Sequence, residues 1–443
     1  MPRIDRRTLL QAAGLGLAGL GGWRKLLADE LSRGGEPRYC ILLWMTGGAS
    51  QIDTFDMKPG HENGGEFKEI ETASPGLRFS EHLPKLAKMS DRLAVIRSLS
   101  TKEGDHGRGT YLMRTGHPPM GAIRYPTIGS SLSKSLGTDE APLPNYVAIS
   151  PYRVFNQQAF GPGFLGPRHA ALTVGAADVF QQAAANQNDD GYAELTVDDL
   201  QHGAGLKQLE DRLELWRSLQ DGFLARHAGG AALAHDTVYR GAVRMMNSSA
   251  ARAFDLTEET DKVRDAYGRG RFGQGCLMAR RLIEEGVPFV EVSLGRFGGG
   301  ALGWDTHQNN FPTVKSLSEQ LDAGWGSLMA ELDERGLLER TTILWMGEFG
   351  RTPQLRPNRQ NGGRDHYPNA WSCVLAGGGI AGGQAYGKTS EDGVTVEENQ
   401  VAVGDVLATF CRAAGVDPAA QNMSEVGRPI RIAEGTAIEA VLS

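Results

Sequence analysis

Five short apolar runs constrain the fold most: Tyr39 to Met45, Arg92 to Ser98, Pro288 to Leu294, Thr342 to Met346 and Trp371 to Ala376. Each has strand length and ends in glycine or polar residues. They are apolar nearly throughout rather than at alternate positions, which is the pattern of strands buried on both faces, as in a parallel sheet between helical layers. Helical periodicity falls between them, over Leu206 to Arg226, Gly275 to Glu285, Thr313 to Arg335 and Val406 to Ala414, with Gly336 and Gly415 as stop signals after the last two. Asp405 falls in the first turn of the last helix, where a negative charge is favourable. The alternation predicts an α/β, doubly wound, mostly parallel sheet flanked by helices. The stretch from about Leu143 to Asp265 breaks it and reads as an insertion or cap on one core domain spanning residues 37–442.

Composition narrows the function classes. With 46 Lys+Arg against 53 Asp+Glu, a formal charge of -7 and 40% apolar residues, the 443-residue chain reads as a globular protein and not as a nucleic-acid binder. Its 59 glycines are about twice the usual share of roughly 7% and imply many tight turns. The four cysteines, Cys40, Cys276, Cys373 and Cys411, lack the CxxC spacing of a zinc ribbon or a redox motif. Cys40 and Cys373 lie inside apolar runs and are expected as small buried hydrophobes.

Residues 1–28 read as an address. Arg6-Arg7 precede an uncharged stretch, Gln11 to Trp23, rich in Ala, Gly and Leu, which resembles a twin-arginine export signal. The stretch is too short to cross a bilayer, which needs about 20 apolar residues, and no other segment approaches that length. The expectation is export by the twin-arginine machinery to the periplasm or cell envelope, with no transmembrane span beyond the signal.

The groups able to do chemistry collect at the ends of the apolar runs. After the first comes Thr46-Gly47-Gly48-Ala49-Ser50-Gln51-Ile52-Asp53, after the third Gly303-Trp304-Asp305-Thr306-His307, and after the fourth Gly347-Glu348-Phe349-Gly350-Arg351. Gly363-Arg364-Asp365-His366-Tyr367-Pro368 stands just before the fifth. Ligands of open α/β sheets bind outside the carboxyl ends of the strands. Asp53, Asp305, His307, Glu348 and His366 are therefore expected to converge on a divalent cation. An oxygen and nitrogen donor set without thiolate suits zinc or manganese, with magnesium as a further candidate.

At these motifs the chain resembles an exported bacterial family, domain of unknown function 1501, grouped with the alkaline phosphatase and sulfatase superfamily. The resemblance runs from the signal through residues 47–56, 303–307, 347–353 and 363–368. It implies an alkaline-phosphatase-like fold and a site for divalent ions at which a Ser, Thr or modified Cys attacks phosphorus or sulfur. By that resemblance Asp53 matches the metal-binding aspartate after the first strand, Asp305 and His307 an Asp and His pair, and His366 the last metal-binding histidine. Glu348-Phe349 stands where the superfamily has Asp-His, so a second metal lacks a ligand. The nucleophile position falls on His106, counted back from Gly116, with Thr110 as a weaker hydroxyl candidate. His106 can act there as nucleophile, extra metal ligand or general acid/base. Arg108 is expected to offset developing charge, and Arg351 and Asp365 to contact the substrate.

The sequence thus leads to an exported, metal-dependent hydrolase-like protein acting on a phosphate or sulfate ester. Its rival is a non-catalytic envelope protein using the same cleft to bind anionic glycans or a partner protein.

Overall fold

The computed structural model describes residues 38–175, 193–197, 200, 230–295, 302–356 and 361–443, with 211–212, 214–216, 218 and 220 between them. The export segment and most of the helix expected over Leu206 to Arg226 lie outside the described residues. From Arg38 to Ser443 the chain is one unit built on an eight-stranded sheet.

Its strands are β1 (Tyr39–Met45), β2 (Leu93–Leu99), β3 (Tyr146–Ile149), β4 (Leu172–Val174), β5 (Phe289–Leu294), β6 (Thr341–Gly347), β7 (Trp371–Gly377) and β8 (Gln384–Tyr386), in the order β8-β2-β7-β6-β1-β5-β3-β4. All five expected strands form. β1 pairs in parallel with β5 and β6, and β5 with β3, whereas β7 is antiparallel to both β6 and β2. β3 and β4 come from the span read as an insertion, so part of that span completes the sheet instead of capping it. Strands of four and three residues are too short to show a periodic signal.

The longer helices among the described residues are α1 (His106–Thr115), α2 (Ile128–Leu136), α3 (Gly230–Met246), α4 (Arg271–Glu284), α5 (Asn310–Glu334) and α6 (Val403–Ala413). Strand side chains alternate between faces, and β1 shows the consequence. Ile41, Leu43 and Met45 join the core with α4 and α5, while Cys40, Leu42 and Trp44 join the core with α1, α2 and α6. Along α5, Val314, Leu317, Leu321, Trp325, Leu328 and Leu332 recur at helical spacing and are buried on the sheet. Each such aliphatic side chain contributes roughly 1.5–3 kcal/mol. In α6, Asp405 accepts the Ala402 backbone N–H at 3.0 Å, as its place in the first turn predicts. All four cysteines are buried free thiols. Among the described residues no helix is long and apolar enough to cross a membrane.

Candidate metal centre

The carboxyl edge of the sheet gathers loops from β1, β2, β5 and β6. The reversal of β7 adds a fifth segment: Trp371, its first residue, pairs with Leu99, the last of β2. The chain just before β7 therefore also lies at the carboxyl edge, and this brings His366 to residues that follow parallel strands.

Glycine allows the close approach. Gly47 has φ 102°, and a Cβ there would lie 2.5 Å from the Asp305 backbone nitrogen. Gly48, at φ 81°, would meet the Phe349 carbonyl at 2.7 Å. The loops after β1, β5 and β6 thus touch backbone to backbone.

Three imidazoles meet around Asp305. His106 opens α1, where Asp105 caps the helix through the Arg108 N–H. Its Nε2 lies 3.3 Å from Asp305 Oδ2, while Nε2 of His307 and of His366 lie 3.1 and 3.2 Å from Oδ1. The other nitrogen of each ring faces an acceptor: Nδ1 of His106 is 2.8 Å from Glu348 Oε1, that of His307 is 2.7 Å from Asp365 Oδ1, and that of His366 is 2.7 Å from the Gly104 carbonyl. A carbonyl or carboxylate oxygen can only accept, so each Nδ1 carries a proton and each Nε2 is the nitrogen left to bind a cation. Nε2 of His307 and Nε2 of His366 are 3.0 Å apart. Two lone pairs cannot face one another at that distance without positive charge between or beside them.

Within the cluster, His106, Asp305 and His366 each offer one ligand atom, all within 4.8 Å of one another. Ligand atoms held about 2.0–2.1 Å from a tetrahedral zinc sit about 3.4 Å apart, close to the 3.3 and 3.2 Å that separate His106 and His366 from the Asp305 carboxylate. Two buried atoms strengthen the fit, because neither His106 Nε2 nor Glu348 Oε2 has a hydrogen-bond partner. His307 borders the trio, and Glu348, Asp365 and the Gly104 carbonyl orient the rings from behind, as outer partners of metal-binding histidines do.

Burial alone would lower the His106 pKa, but contact with the carboxylates of Asp305 and Glu348 lifts it to about 9, so without a cation a proton holds the place at Nε2. Burial would raise Asp305, yet His106, His366 and the charge of Arg351 hold it well below the usual carboxylate range. Phe155 stacks on His106 with ring centroids 4.2 Å apart and planes 3° from parallel. Phe349 packs on His366 with ring centroids 4.5 Å apart.

The remaining expected site residues take other places or other roles. Asp53 is outside the cluster: its carboxylate accepts from Arg364 at 2.8 and 3.0 Å, from the Ser50 hydroxyl at 2.6 Å and from Asn310 at 2.9 Å. Arg351 is buried, 2.6 Å from Asp305 and donating to the Gly47 and Gly48 carbonyls, so it fixes the loop instead of facing a substrate. Arg108 points to Glu103, at 2.7 Å through both Nε and Nη2. Asp365 supports His307 and pairs with Arg356. Thr110 is buried one turn after His106, with no partner for its hydroxyl. His106 itself is the first residue of α1 and is mostly buried. Sequence reasoning missed Phe155, Gly104 and Glu103, since a lone aromatic, a backbone carbonyl and a surface acid carry no motif.

Fold and site together define a doubly wound α/β protein with a histidine and aspartate centre at the carboxyl edge of its sheet. Residues 37–442 match the family described as protein of unknown function DUF1501, and the chain belongs to that family. No curated protein matches the sequence. Among solved structures it is similar to a sulfatase from Pseudoalteromonas sp., with 14% identity, TM-score 0.41 and coverage of 88% of this chain and 70% of that one. It is also similar to the lipoteichoic acid synthase LtaP from Listeria monocytogenes, with 8% identity, TM-score 0.39 and coverage of 91% and 76%. A third is an alkaline phosphatase from the Antarctic bacterium TAB5, with 12% identity, TM-score 0.35 and coverage of 86% and 99%.

Proposed function

We propose that this protein is an exported, metal-dependent hydrolase-like protein acting on a phosphate or sulfate ester. The observation that carries the reading is the convergence of three Nε2 atoms on Asp305, each ring locked by an acceptor at Nδ1. His106, Asp305 and His366 would hold one divalent ion, zinc or manganese before magnesium by their donor chemistry. Such an ion supplies Lewis acidity to an ester oxygen and a nucleophile from water. The chain's own part is to fix the ligands: Glu348 aims His106, Asp365 aims His307, and Phe155 and Phe349 pack on the rings of His106 and His366. Arg6-Arg7 support export, and replacing both with Lys should trap the protein in the cytoplasm; unchanged export of that variant removes this part of the reading.

Two observations favour a second reading, a binding protein without turnover. Position 106 lacks a hydroxyl, and both arginines expected to face an oxyanion already have carboxylate partners. A panel of phosphate and sulfate esters, assayed with added zinc, manganese and magnesium, separates the two. Turnover that is lost on chelation and in His106→Ala supports the hydrolase. Stoichiometric metal with no turnover of any ester identifies the binding protein.

A further inference from the structure

The opposite edge of the sheet holds a cavity of about 250 Å³ between the C-terminal end of α2, the first residues of β3 and β4, and the second half of α3. Tyr146 and Leu172, the first residues of their strands, line it, so the whole length of the strands separates it from the histidine cluster. Its apolar wall includes Leu143 and Met245, and its charged lining is Arg168, Arg244 and Asp139 with the imidazole of His169.

The charges do not cancel. Asp139 pairs with Arg168 through its carboxylate, whereas Arg244 donates to the Asp139 backbone carbonyl at 2.7 Å, a neutral acceptor. Among the described residues the Arg244 guanidinium has no carboxylate partner, at the rim of a cavity in a chain whose formal charge is -7. Lys134 adds to the positive field from nearby: burial, then Lys134 and Arg168, push the His169 pKa down to about 4, so its ring is neutral at pH 7. A concave apolar pocket with a few convergent polar groups is the usual form of a small-molecule site, and an arginine suits a planar anion because its fork matches a carboxylate.

We propose that this cavity is a second binding site, independent of the metal centre, for a small organic anion: a carboxylate carried on an apolar body, with Arg244 as its charge partner. The apolar wall takes the body and the Arg244 rim takes the anion.

Titration calorimetry of the full chain with benzoate and with benzamide, its neutral counterpart, tests this. Two variants place the ligand. Arg244 is exposed on α3, so Arg244→Gln removes the charge at little cost to the fold. Gly241 lines the cavity, and a Cβ there meets nothing within 4 Å, so Gly241→Leu grows into the empty space without a clash. Benzoate should bind with a Kd of about 1 mM or tighter, the range open to so small a ligand. Arg244→Gln should weaken it at least about tenfold, the loss expected for one charged hydrogen bond, and Gly241→Leu should abolish it. His366→Ala, which removes a ligand of the metal centre, should bind benzoate as the wild type does. Absence of benzoate binding, equal binding of benzamide, retention in either cavity variant, or loss in His366→Ala overturns the proposal.

Discussion

Arg364 reaches Asp53 through two hydrogen bonds, Nε to Oδ2 at 2.8 Å and Nη2 to Oδ1 at 3.0 Å, with both side chains sealed from solvent. The guanidinium also donates to the carbonyls of Thr352, Pro353 and Asn63, so one side chain ties the loops after β1 and β6 to the segment before β7. Arg364→Leu strands a buried carboxylate and should cost about 3–5 kcal/mol of unfolding free energy. Urea denaturation checks this; a loss under about 1 kcal/mol would mean that Asp53 finds another cation.

A second buried pair holds α1 to the sheet. Arg114 clasps Glu291 of β5 through two nitrogens, at 2.8 and 2.5 Å, beneath the Phe160 ring, and the Tyr146 hydroxyl donates to Glu291 at 2.7 Å. Glu291→Leu alone should destabilise by about 3–5 kcal/mol, while adding Arg114→Leu should recover much of that loss, because the cost lies in the unpaired charge. Melting of the two single variants and the double variant gives the coupling.

His169 gives a pH dependence of known sign. Its folded pKa of about 4 lies below the unfolded value of roughly 6.5. Below pH 6.5 the unfolded chain binds the proton first, so stability falls with falling pH until about pH 4 and is unaffected by this group above 6.5. The ring is partly exposed, which reduces the effect to the order of 1 kcal/mol. His169→Gln should flatten the wild-type decline between pH 7 and 5; identical pH profiles would contradict the assignment.

The fold was legible where burial on both faces made whole runs apolar, and less so where strands were short. β1, β2, β5, β6 and β7 stand out in the sequence, while β3, β4 and β8 are only three or four residues long. The direction of β7 carries no sequence signal, yet it decides the site, because a parallel β7 would put His366 at the wrong edge. Asp305, His307 and His366 were readable from their loops. The pairing of Asp53 was not, because Arg364 is 311 positions away and a paired aspartate looks like a free one. His106 was legible as a site residue but not as the first residue of a helix, since His106-Gly107-Arg108-Gly109 has poor helix propensity. The helix forms because Asp105 caps it and Arg114 anchors it.

The account rests on a cation held by His106, Asp305 and His366. Its most direct test is the zinc content of the full chain, dialysed against zinc and then buffer, by plasma mass spectrometry, for wild type, Asp305→Asn and His366→Ala. One zinc per chain in the wild type, and a loss of affinity of at least about tenfold in each variant as the coordination shell is broken, is the predicted result. A folded wild-type chain that retains no zinc or manganese, or variants that hold metal as tightly as the wild type, would contradict it.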